Sequence, residues 1–117
     1  MKKEYGIFKT ECNLNKCISE LSQNISKSYP ISEKTISDLK RKAEQLEILS
    51  YKQPVFMVTN LLCRAYIKNR CFPDAAYYLA ENKNNIEIYI RKGNKIDISI
   101  LIECLNMLST IHKNLKN

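Results

Sequence analysis

The chain has 117 residues, enough for a single domain over 1–117 that buries about two-thirds of the surface its unfolded form exposes. Hydrophobic residues make up 44% and charged residues 26%, which excludes a disordered tail, while Gly 2 and Pro 3 are too few for a β-sandwich or Rossmann-type domain. The net charge of +7 suits an acidic partner or nucleic acid, but residues 1–54 carry ten basic and seven acidic groups and residues 55–117 nine and five, the dispersed pattern of a solvated surface.

Lys3 to Thr10, with Tyr5, Ile7 and Phe8, suits a short helix. Leu14, Cys17, Ile18, Leu21 and Ile25 recur at intervals of three and four, one stripe of a helix that Asn13 can cap and Tyr29-Pro30 ends. Ser32 caps the next helix, whose stripe is Ile36, Leu39, Ala43 and Leu46. Its outer face pairs Asp38 with Lys42 and Lys40 with Glu44 at four-residue spacing.

Gln53-Pro54 opens the most apolar segment. Val55, Phe56, Val58, Leu61, Leu62, Cys63, Ala65 and Tyr66 cover nearly the whole circumference, which marks a central buried helix. It stops near Asn69 to Phe72. Pro73 starts another helix, and the polar run Asn82-Lys83-Asn84-Asn85 reads as its end.

Ile86, Ile88 and Ile90, then Ile96, Ile98 and Ile100, alternate with polar residues around Gly93-Asn94, which by itself is a β-hairpin pattern. An internal repeat points the other way. Tyr66 to Asp74 lies over Tyr89 to Asp97 without a gap, matching tyrosine, isoleucine, a basic residue and aspartate, then Ala76 over Ser99 and Leu79 over Ile102. The second copy therefore reads as an αα-hairpin turning at Gly93. A weaker third copy places Tyr5 to Glu11 ahead of a turn at Cys12-Asn13. Leu101, Cys104, Leu105, Leu108, Ile111 and Leu115 form a last helical stripe. The expected fold is all-α, with antiparallel helical hairpins stacked as a short solenoid or bundle.

Catalytic chemistry finds no footing. His112 is the single histidine and has no acid and nucleophile around it in a recognisable motif. Cys12, Cys17, Cys63, Cys71 and Cys104 are odd in number and lack zinc-ligand spacing, so they read as reduced thiols filling core space. Glu44 with Glu47, or Asp97 with Glu103, read as salt-linked surface rather than paired catalytic acids. The expectation is no enzyme, no metal and no cofactor, with no membrane span and no signal peptide, hence a cytoplasmic or nuclear protein.

Asn60-Leu61-Leu62-Cys63-Arg64-Ala65-Tyr66-Ile67, followed by Pro73-Asp74-Ala75-Ala76-Tyr77-Tyr78-Leu79, resembles a tetratricopeptide (TPR)-type helix pair. It is similar in particular to the third non-ATPase subunit family of the proteasome regulatory-particle lid. Asn60, Leu61, Leu62, Arg64 and Tyr66 match that family's pattern, and Ala75 or Ala76 fills its small-residue place. The specific match covers about 25 residues of the chain. Members of the family are several times longer and end in a winged-helix module for which 117 residues leave no room. The same stretch also resembles a pentatricopeptide repeat.

The resemblance implies a non-catalytic scaffold packed against other protein subunits, possible proteasome-lid subunits among them. Arg64, Tyr77 and Tyr78 are the expected protein-interaction anchors. Two other readings fit the same residues: a basic helical nucleic-acid-binding module using Lys40, Arg41, Lys42, Arg91, Lys92 and Lys95, with Tyr77 and Tyr78 stacking on bases, or a viral or parasite adaptor.

Overall fold

The computed structural model describes residues 11–115. They form five helices and, among them, no strand: α1 (Glu11–Lys27), α2 (Glu33–Ile48), α3 (Lys52–Lys68), α4 (Phe72–Arg91) and α5 (Ile98–Leu115). The expected helix over Lys3 to Thr10 lies outside the described residues.

α3 is the central element. All four other helices pack against it, and its buried residues Phe56, Val58, Asn60, Leu61, Leu62, Cys63, Ala65 and Tyr66 occur all around its circumference. α2 and α4 run antiparallel to it: Ile31 lies by Asn69 and Lys40 by Tyr66, while Asn82 meets Asn60 and Tyr78 meets Tyr66. α5 returns antiparallel to α4, with Cys104 beside Leu79. α1 lies parallel to α3, with Ser22 on Arg64 and Ile25 on Lys68.

Capping chemistry sets the helix ends. Ser32 caps α2, its hydroxyl accepting from the Thr35 amide at 3.1 Å. Asp97 does the same ahead of α5, accepting from the Ser99 amide at 3.0 Å and the Ser99 hydroxyl at 2.8 Å. These bonds hold the Asp97 carboxyl below its ordinary pKa. Lys68 Nζ donates to the carbonyls of Ile25 and Ser26 at 2.7 and 2.9 Å, satisfying the end of α1 from another helix. The Asn69 amide both donates to and accepts from the Ile31 backbone at 2.8 Å, which pins the α1–α2 connection.

Three turns share one geometry. After α2, Ser50 has φ 63°; after α3, Arg70 has φ 59°; after α4, Gly93 has φ 94°. In each, that residue's amide bonds back three positions and the next amide bonds back five: Tyr51 to Leu46, Cys71 to Tyr66 and Asn94 to Tyr89. This is the Schellman end, in which a left-handed residue lets the chain close off the last carbonyls. The overlay of Tyr66 on Tyr89 therefore has a structural counterpart in the turn, and the β-hairpin alternative at 86–100 gives way to an αα-hairpin.

Ser50 carries a side chain where glycine is favoured. Ser50→Gly is expected to raise stability by about 0.5–1 kcal/mol by relieving left-handed strain. Gly93→Ala should lower it by a similar amount although a Cβ there meets open space within 4 Å, because the cost is conformational. Urea midpoints of the two variants check both signs.

The structure corrects several details. The second half of the repeat is not equivalent: Leu79 is fully buried, whereas Ile102, laid over it, is 50% exposed. Asp74 sits in the first turn of α4, but Asp97 precedes α5. Residues 82–85 do not end a helix. α4 runs unbroken for 20 residues because Asn82 faces inward to α3 and Lys83 pairs with Glu87 at 3.2 Å. Asn13 lies inside α1 rather than capping it, which also removes the turn proposed at Cys12-Asn13. Asp38 pairs with Arg41 at 2.7 Å instead of Lys42, and Lys40 turns away from Glu44 toward two tyrosines.

Candidate functional site

Two grooves flank α3. One runs between α2 and α4, with a volume of about 450 Å³; Val55, Phe56 and Thr59 of α3 form its floor. The other lies between α1 and α5, about 400 Å³, over Met57, Leu61 and Arg64. The two floors occupy different sides of the same helix, as positions 55, 56 and 59 and positions 57, 61 and 64 must at about 100° per residue.

A polar chain crosses the interior between them. Asn82 Nδ2 donates to Phe56 O at 3.1 Å and to Asn60 Oδ1 at 2.9 Å. Asn60 Nδ2 donates to Ile100 O at 3.0 Å and to Glu103 Oε1 at 3.1 Å. Glu103 pairs with Arg64, whose other nitrogen donates to Ser22 Oγ at 3.0 Å. Five side chains thus join α4, α3, α5 and α1. Asn60 and Asn82 are 1% and 3% exposed, and no fully buried side-chain nitrogen or oxygen among the described residues lacks a partner. A satisfied network of this kind fixes which helices pair, because any other arrangement strands a buried amide.

The three expected anchors are not brought together. Arg64 is half-buried and engaged with Glu103 and Ser22 on the α1–α5 side. Tyr77 and Tyr78 lie on α4, toward α2. Tyr78 stacks on Tyr66, with centroids 5.8 Å apart and planes at 10°; Tyr77 is 63% exposed and meets Tyr78 edge-on at 5.2 Å. Arg64 and Tyr66, two positions apart on α3, point about 200° apart.

Sequence reasoning did not anticipate Lys40 as the fourth member of the tyrosine cluster. Its ammonium sits 5.7 Å from the Tyr66 ring centroid and 5.6 Å from that of Tyr78. Hydrogen bonding to the Tyr66 side chain, with smaller contributions from Tyr78, raises the Lys40 pKa against the opposing effect of burial. Its place on a helix face that reads as solvated conceals this contact.

Cys63 and Cys104 are fully buried. Loss of water pushes the Cys63 thiol far up and the Cys104 thiol from its ordinary 9.0 to about 11. Because thiolate is the reactive form, native chains at pH 8 should expose neither to a thiol reagent until urea unfolds them, as thiol counting will show. The pH dependence follows. A raised folded pKa means that the Cys104 contribution is fully present below pH 9 and drains away as pH rises through 11. The urea midpoint should fall over that interval, and fall less in Cys104→Ala.

Among the described residues, no group of three or more histidine, cysteine, aspartate or glutamate side chains is placed to hold a metal ion. No helix there is long and apolar enough to cross a membrane. His112 is exposed on α5, and no acid among the described residues forms an ion pair with it. No family model, curated protein or solved structure matches the chain.

Several large apolar side chains remain exposed. On α5, Ile98, Ile102 and Leu105 are 55%, 50% and 42% exposed and recur at intervals of four and three. Between Ile98 and Ile111 the only side chain charged at neutral pH is Glu103, which is turned to Arg64. The outer face of α5 is therefore an apolar strip without charge.

Proposed function

We propose that this chain is a non-catalytic helical scaffold, a short TPR-like stack whose α5 edge receives another protein subunit. The observation that carries the reading is the uncharged strip Ile98, Ile102 and Leu105 on the last helix. Interface cores are depleted of charge in this way. The repeated Schellman turns and the antiparallel order of α2, α3, α4 and α5 support the stacked-hairpin part of the reading. The resemblance of Asn60 to Tyr66 and the helix after Pro73 supports a partner of the proteasome-lid kind, in the cytoplasm or nucleus.

The nucleic-acid reading has less support. Lys40 is held over Tyr66 and Tyr78, and Arg41 by Asp38, which takes two of its six basic residues.

The test is co-migration. A tagged chain expressed in its native cell should sediment with a multi-subunit complex containing lid subunits, and Ile102→Lys/Leu105→Lys should return it to the size of the free chain. Sedimentation as a free chain before any substitution overturns the scaffold reading. Association with nucleic acid that falls over several decades as salt rises turns it toward phosphate contacts.

A further inference from the structure

We infer that the groove between α2 and α4 is a docking site for a basic amphipathic helix of about three turns. This deepens the scaffold reading and rests on it, but uses a different face from the α5 strip.

The length follows from the walls. The groove reaches along α4 from Glu81 to Lys92, which at 1.5 Å per residue is about 16 Å. Phe56 lies buried beneath the surface of the floor at 4% exposure, where it meets Tyr89 edge-on at 5.6 Å. The apolar surface on offer is therefore that of half-buried Ala43 and Val55 and of Ile88 on the α4 wall, which is 37% exposed. A helix laid there would place its apolar stripe on these side chains, in the manner of helix-in-groove recognition.

The charge of the occupant follows from the rim. Glu44 and Glu47 stand on the α2 wall and Glu81 on the α4 wall. Lys52 neutralises Glu47 at 2.8 Å, and Lys92 closes the far end. Glu44 and Glu81 stand on opposite walls, and neither has a salt bridge among the described residues. On a chain of net +7, a groove lined by three glutamates against two lysines is locally acidic, and Glu44 and Glu81 supply the carboxylates without a salt bridge among the described residues. They complement a helix carrying lysine or arginine on both flanks of its apolar stripe.

The net charge makes the test discriminating, since the chain as a whole repels a basic peptide. The probes are two capped 14-residue peptides with leucines at helical spacing, one flanked by lysines and one by glutamates. Isothermal titration should show the lysine peptide binding at least tenfold more tightly than the glutamate peptide. Glu44→Lys/Glu81→Lys should invert that preference, and Glu44→Gln/Glu81→Gln should abolish it. Both carboxylates are exposed, so circular dichroism and urea midpoints will show that the variants remain folded.

Equal affinity for the two peptides, or a preference unchanged in the variants, overturns the inference. So does binding of the lysine peptide that appears only after deletion of residues 1–10, which would make that segment the occupant. A dimer that dissociates in Glu44→Lys/Glu81→Lys overturns it in favour of a second copy. Ile102→Lys/Leu105→Lys should leave peptide binding intact, so failure here and failure of the co-migration test are separable.

Discussion

Leu79→Ala is expected to destabilise the fold by about 3 kcal/mol, whereas Ile102→Ala should cost less than about 0.5 kcal/mol. The overlay of the two halves of the repeat makes these positions equivalent; the packing does not. Leu79 is fully enclosed between α3 and α5, with the Cys104 thiol donating to its carbonyl at 3.4 Å. Truncating it removes three carbons and leaves a cavity that the surrounding helices cannot fill. Ile102 stands half in solvent and loses little apolar contact on truncation. Urea denaturation of both variants measures the difference. Equal costs would mean that α5 is packed as the second helix of a true repeat, with Ile102 facing inward.

Asn60→Leu is the second large effect, expected at about 2 kcal/mol. Leucine has nearly the shape of asparagine, so the change tests polarity rather than volume. It removes the acceptor for Asn82 and the donor to Ile100 O and Glu103, while Asn82 keeps its bond to Phe56 O. The neighbour left behind is thus partly satisfied, which keeps the cost below that of a stranded charge. Asn82→Leu alone should cost a similar amount. The double variant should cost at least 1 kcal/mol less than the sum, because a wholly apolar pair strands no amide between α3 and α4. Strict additivity would show that the two asparagines act independently.

The network also shows why residues 82–85 read as a break. The three asparagines are poor helix formers, and nothing local distinguishes a surface amide from one that reaches a partner 22 positions away. The burial of Asn82 against Asn60 overrides that propensity. Arg64 is a similar case. As an arginine on an apolar helix it reads as an outward anchor, but Glu103, 39 positions on, draws it into the α1–α5 groove. Lys40 belongs to an exposed-looking charge run, and its tyrosine partners lie on two other helices.

Local signals fared better where the physics is local. Ser32 caps α2 because a serine oxygen three residues from a free amide needs no tertiary help. Gly93 ends α4 because a left-handed residue is cheapest without a Cβ; it serves a β-hairpin equally well, and only the overlay of Tyr66 to Asp74 on Tyr89 to Asp97 favours the helix pair over the alternating isoleucine pattern. The all-round apolar surface of α3 is legible as central, since a helix without a polar face must be covered on every side.

The amino-acid order alone thus determined that the described chain is helical, where most helices begin and end, and that α3 lies at the centre. Those features arise from hydrogen bonds and solvation within a few residues of each position. Only the tertiary structure decided that Asn82 faces inward, that Arg64 and Tyr78 belong to different sides of α3, and that α2 and α4 leave a groove rimmed by Glu44 and Glu81. Each depends on which helices lie side by side, and that choice is made by pairs of residues too far apart along the chain for spacing or propensity to link them.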